Sequence, residues 1–168
     1  MDIVAILLFI LPCYIANAAP VLLGGGQPID LGAEFMDGRR VLGDAKTIRG
    51  FVGGVSAGTL AGGLLALYAP LPGFSAWQQF LAGFAVSLGA LAGDALGSFI
   101  KRRMGIGPGK PFPLDQLGFI TVGLLFAYPF AYSLYSLEMA ALLLALSYLL
   151  HVIANAAANR FGLKAVPW

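Results

Sequence analysis

The sequence predicts an all-α integral membrane protein with about five transmembrane helices. Three observations carry that expectation. First, 59% of the 168 residues are hydrophobic and only 11% are charged, with a mean hydropathy of +0.85. A soluble domain carries roughly 25% charged residues to cover its water-facing surface. Second, the apolar residues fall into stretches of about twenty, the length a helix needs to cross a ~30 Å hydrocarbon core. Third, all ten Lys and Arg lie outside those stretches.

Spans are expected near residues 3–23, 51–71, 78–100, 117–137 and 139–158, within a single membrane-embedded domain covering 1–168. The first contains Ala16-Asn17-Ala18, which looks like a signal-peptide cleavage site. It opens on Asp2, however, and lacks a basic n-region, so a retained helix is expected. Span two carries Gly54, Gly58 and Gly62, and span three Gly89, Gly93 and Gly97. Small residues at four-residue spacing let helix backbones approach closely. Span four follows the second long loop, and only a short segment around Glu138 separates it from span five. On span five, His151, Asn155 and Asn159 share a face. Interhelical hydrogen bonding accounts for such a stripe, with substrate contact as the alternative. The lone Cys13 excludes a disulfide framework and a cysteine-based zinc site.

The basic residues orient the chain. Arg39, Arg40, Lys46 and Arg49 lie between spans one and two, and Lys101, Arg102, Arg103 and Lys110 between spans three and four. Arg160 and Lys164 follow span five. With five spans all three segments share one side, which the positive-inside rule makes cytoplasmic. The N-terminus is then outside, the C-terminus is cytoplasmic, and two long cytoplasmic loops cover 24–50 and 101–116. A net charge of +2 is too small to indicate a nucleic-acid partner.

Residues 30–49 and 94–115 hold 14 of the 18 charged residues, so the chemistry is expected there. Asp94 sits inside an apolar stretch, where a carboxylate is costly and marks a functional site. A structural partnership with Lys101 or Arg102 is the alternative. Asp94, Ser98, Lys101 and Arg102 recur at i, i+4, i+7 and i+8 and share a helical face. Asp94 and Asp115 are hard oxygen donors suited to Mg²⁺. Lys46, Arg49, Lys101, Arg102, Arg103 and Lys110 match phosphate oxygens. Metal, cations and in-line positioning are what phosphoryl or nucleotidyl transfer needs. Residues 105–110 read Gly-Ile-Gly-Pro-Gly-Lys, one residue short of a P-loop, and Pro111 stands where Ser or Thr should hold the metal. Asn17 and Pro20 on span one form either a capped helix break or part of a lipid groove.

The chain resembles the archaeal CDP-archaeol synthases, relatives of bacterial phosphatidate cytidylyltransferases. The resemblance is carried by Asn17 to Leu22, Gly24-Gly25-Gly26, Pro28-Ile29-Asp30, Asp37-Gly38-Arg39 and the segment Leu42 to Gly50. It continues through Gly93-Asp94, Gly97-Ser98, Ile100-Lys101-Arg102 and Pro113-Leu114-Asp115-Gln116. It implies Mg²⁺-dependent transfer of CMP from CTP to an unsaturated isoprenoid ether lipid phosphate in the lipid bilayer, giving CDP-archaeol and pyrophosphate. Under it, Asp94 and Asp115 would hold the metal, with Lys101 and Arg102 beside them as catalytic cations. Lys46, Thr47, Arg49, Ser98, Arg103, Lys110 and Gln116 would bind nucleotide or phosphates, and Asn17, Pro20 and Asn155 would meet lipid. The bacterial relatives end their second motif in His-Gly-Gly before Asp-Arg-x-Asp, whereas here Asp115 stands alone before Gln116. A CTP-dependent lipid or polyprenol kinase, and a transporter of small anions or lipid phosphates, are the competing functions. Five spans with no matched halves argue against the transporter.

Overall fold

The computed structural model describes residues 3–107, 110, 112–134 and 136–161, excluding the side chains of Leu134, Leu137, His151, Ala154, Asn155 and Ala158. The expected lipid contact of the Asn155 side chain, and Lys164, lie outside the described residues. The elements run α1 (Ile3–Ala18), α2 (Pro20–Leu23), α3 (Ile48–Tyr68), α4 (Ala76–Arg103), α5 (Pro113–Ala131), a 3₁₀ turn at Tyr132–Leu134, and α6 (Leu137–Arg160). Ile3–Leu23, Ile48–Tyr68, Ala76–Arg103 and Pro113–Ala131 are long and apolar enough to cross a membrane, and α6 holds a shorter apolar stretch, Glu138–Leu150. The protein is all-α and multi-pass.

Local chemistry sets the helix ends, and several differ from the hydropathy bounds. Pro20 has no N–H to donate and opens α2, dividing the first span. Thr47 caps α3 by accepting the Gly50 N–H at 3.1 Å, so the helix starts three residues earlier than its apolar stretch. Ser75 and Gln78 form a capping box at the start of α4. Helix α4 runs on to Arg103, which puts Lys101, Arg102 and Arg103 on the helix rather than in the loop. It stops at Gly105, whose φ of +71° suits glycine. There the Ile106 and Gly105 N–H groups return to the carbonyls of Lys101 and Arg102. Pro113 starts α5, so Asp115 and Gln116 occupy its first turn, where an acidic side chain meets the helix dipole favourably.

The glycine stripes lie where helices meet. Gly54, Gly58 and Gly62 of α3 are buried, with Gly58 against Pro12 and Ala16 of α1 and Gly62 against Gly83 of α4. On α4, Gly89 meets Val122 and Gly123, and Gly97 meets Leu114, all on α5. Ile10, Val86, Phe119 and Ile120 fill the interior beside these seams. Tyr14 Oη and Ser147 Oγ, 2.5 Å apart, tie α6 to α1.

These contacts leave no room for a side chain. A Cβ at Gly58 would fall 2.7 Å from the Pro12 carbonyl oxygen and 2.8 Å from Ala16 Cβ. Gly58→Val should therefore cost ~1–3 kcal/mol or more through overpacking. Gly107→Ala, with nothing within 4 Å, should leave stability unchanged. Thermal unfolding in detergent distinguishes the two.

Candidate active site

The segment 24–47 precedes the capped end of α3 and lies against the end of α4. It is not an unstructured loop: backbone bridges pair Pro28 with Thr47 and Glu34 with Arg40. Its centre is Asp30, whose side chain is 1% exposed. Asp30 accepts Arg40 Nη2 at 2.7 Å, and the N–H groups of Leu42, Gly43 and Gly32 at 2.9, 3.0 and 3.2 Å. The Arg40 guanidinium, with these backbone donors, holds the Asp30 carboxyl well below the usual carboxylate range against the opposing effect of desolvation.

A second set of contacts fastens the segment to α4. Arg103 pairs with Asp37 and donates to the carbonyls of Arg39 and Arg40 at 3.1 and 2.6 Å. Its guanidinium also lies over the rings of Phe35 and Phe99, 4.8 and 5.2 Å from their centroids. In return, Arg39 Nη1 donates to the carbonyls of Arg102 and Arg103 at 3.2 and 2.9 Å, at the end of α4 where carbonyls run out of helical partners. Arg102 bonds the carbonyls of Ile106 and Leu42 at 2.7 and 3.4 Å.

So anchored, the segment delivers Lys46 to α4. Lys46 Nζ lies 2.6 Å from Asp94 Oδ2, both side chains about one quarter exposed at 24% and 27%. They share a cleft with Pro20, Thr47, Phe51, Leu91 and Ala95. The partner of Asp94 is thus a residue from the other long connection, and not Lys101 or Arg102 of its own helix. Two turns further along α4, about 10 Å away, the buried Lys101 pairs with Asp115. Ser98 is buried on the same face between them.

The sequence-predicted residues therefore divide. Lys46, Thr47, Pro20 and Asp94 come together in one cleft, while Lys101 and Asp115 form a second pair. The described contacts of Arg102 and Arg103 run to the 24–47 segment and to the end of α4. Arg49 and Lys110 are exposed, and neither they nor the partly buried Gln116 engages another side chain among the described residues. Asn17 is partly buried and does not line the cleft. Among the described residues no cluster of three His, Cys, Asp or Glu side chains is placed to hold a metal. What the site offers is two separate carboxylates, each held by a lysine through Oδ2. That suits anionic, phosphate-bearing substrates that bring further oxygen ligands with them.

The family model described as CarS-like, CDP-archaeol synthase, matches residues 1–168. The chain belongs to the CDP-archaeol synthase family. It is 51% identical over 161 residues to the CDP-archaeol synthase of Thermococcus gammatolerans, covering 95% of this chain and 93% of that protein. It is 47% identical to that of Pyrococcus furiosus, covering 95% of each, and 44% identical to that of Methanococcus aeolicus, covering 96% and 94%. A solved structure described as an intramembrane enzyme for archaeal membrane lipids biosynthesis matches with a TM-score of 0.82 at 42% identity, covering 92% of this chain and 94% of that one.

Asp30, Phe35, Asp37, Arg39 and Arg40 of this CDP-archaeol synthase family member build the segment, a role that the sequence did not assign to them, although Asp30, Asp37 and Arg39 lie in the motifs that carry the resemblance. Two of them had a local signal. Asp30 and Asp37 each accept a backbone N–H two residues on, from Gly32 and Arg39, the Asx-turn habit of aspartate near glycine.

Proposed function

We propose that this member of the CDP-archaeol synthase family transfers CMP from CTP to an unsaturated isoprenoid ether lipid phosphate, yielding CDP-archaeol and pyrophosphate, with the site on the cytoplasmic side of five spans. The observation that carries the reading is the Lys46–Asp94 pair in a cleft between the 24–47 segment and the apolar seam of α3 and α4. Its lining joins polar groups, Lys46, Thr47 and Asp94, to apolar ones, Phe51, Leu91 and Pro20, the mixture that a nucleotide and a lipid phosphate would need at one site.

The substrate phosphate is already anionic, so its oxygen attacks the α-phosphorus of CTP without a protein nucleophile or general base. One P–O bond forms to the lipid phosphate, and the bond to the departing pyrophosphate breaks. Lys46 and the exposed Arg49 hold the phosphates, with Lys110 approaching from the second connection. These cations stabilise charge developing on the leaving group. Mg²⁺ would be held by Asp94 and by substrate oxygens, while Asp115, paired with Lys101 two turns further along α4, would hold a separate ion on the same phosphates. The Oδ1 atoms of both aspartates remain outside the lysine pairs, and one or two carboxylates are what Mg²⁺ commonly takes beside phosphates. When bound, it would polarise the phosphate oxygens and neutralise their charge.

The test follows isotope from CTP into lipid. Label at the α-phosphorus should enter the lipid fraction with release of pyrophosphate. In sealed vesicles it should do so only when CTP is added on the side bearing the basic segments, and EDTA should abolish it. Entry of γ label would make the protein a kinase. Movement of lipid phosphate without modification would make it a transporter. Either result overturns the reading.

A further inference from the structure

We infer that the seam between α3 and α4 seats the far end of the substrate's isoprenoid chain and thereby sets chain-length preference, an inference that rests on the lipid-phosphate reading above. An apolar groove of about 620 Å³ opens between these helices, lined by Thr59, Leu60, Gly63, Leu67, Trp77 and Phe80. The described chain leaves it open: Leu60 and Leu67 are each 69% exposed and Trp77 is 66% exposed. Trp77 and Phe80 stack with centroids 5.5 Å apart and form a flat wall on the α4 side.

Two features connect this groove to the reacting end. The first is continuity along adjoining ridges of the two helices. On α3, positions 51, 55, 59 and 63 form one oblique ridge that turns about 40° at each four-residue step; Phe51 lines the Lys46–Asp94 cleft, and Thr59 and Gly63 line the groove. On α4, Phe80, Phe84, Leu88, Leu91 and Ala95 repeat at three or four residues and run from groove to cleft. The second is depth. Thr59 lies eleven residues beyond Ile48, about 16 Å along the helix. One leaflet of a ~30 Å hydrocarbon core ends at that depth. A chain whose phosphate lies at Lys46 therefore reaches the groove with its tip, and a shorter chain stops before it. The favoured occupant is an isoprenoid chain rather than a second protein copy, because the groove continues the path that the headgroup site begins.

The test compares lipid phosphates bearing four-isoprene and two-isoprene chains. Thr59→Phe and Gly63→Leu fill the groove. They should raise KM for the long chain about tenfold while leaving kcat and the short-chain KM unchanged. Leu125→Trp, on an exposed part of α5, should alter neither substrate. With the wild-type protein, a photoreactive group at the chain terminus should label Leu60, Trp77 or Phe80, a readout that needs no variant to fold. Equal loss on both substrates, no loss on either, or terminal labelling on α5 or α6 would overturn the inference. So would a change of oligomeric mass in the filled variants without a change of chain preference, which would show a protein partner in the groove. If wild-type protein transfers CMP to neither lipid, the function reading itself fails. If it transfers to both and the variants keep the same ratio, only the chain-seat inference fails.

Discussion

Asp94→Asn should reduce turnover about 10²–10³-fold, the loss expected when one element of transition-state electrostatics is removed. The substitution keeps the size of the side chain and leaves an oxygen for Lys46 Nζ, which now lies 2.6 Å from Asp94 Oδ2. What it removes is the charge that would draw a divalent cation. The residual rate should need more Mg²⁺ for half-saturation, whereas the wild-type protein should saturate at lower concentration. Initial rates across a Mg²⁺ series, on protein shown to be monodisperse in detergent, make the measurement. Near-normal activity with an unchanged Mg²⁺ requirement would remove Asp94 from the metal site.

Asp30→Ala should cost nearly as much activity while touching no substrate. It strips the acceptor from Arg40 and from the Leu42 and Gly43 N–H groups, at ~1–3 kcal/mol for each buried donor left unsatisfied. The segment that carries Lys46 should then loosen while the helices persist. The expected signature is unchanged helical circular dichroism, faster proteolysis within residues 28–47, and a raised KM for CTP. Acid should not mimic the substitution in the working range. The folded Asp30 carboxyl titrates below its unfolded value, so its contribution is fully present above about pH 4 and fades only as pH falls through the depressed folded value. Segment protection that declines between pH 8 and pH 5 would contradict this assignment.

The helices were largely legible because burial in lipid demands long apolar runs, and 59% of this chain is hydrophobic. The ends were less so. Hydropathy stops at Ile100, yet α4 continues to Arg103 because Gly105 and the Arg39 side chain satisfy its final carbonyls. Asp94 stood out in sequence, as a carboxylate among apolar residues does. Its pairing with Lys46 did not, since 48 residues separate them and no helical periodicity spans that distance. Charge alone also grouped Arg103 with the phosphate ligands. The rings of Phe35 and Phe99, the Asp37 carboxylate and the carbonyls of Arg39 and Arg40 show where its guanidinium is held.

The length of α4 has a consequence for how unlike reactants meet. Its 28 residues rise about 42 Å, more than the ~30 Å of hydrocarbon, so one continuous rod passes from oil into water. Asp94 lies nine residues before its end, within the stretch where that transition falls. A molecule confined to the oil and another confined to the water can thus be brought to one surface while each stays in its own solvent. The barrier to their encounter then no longer includes extracting the lipid or dehydrating the nucleotide wholesale.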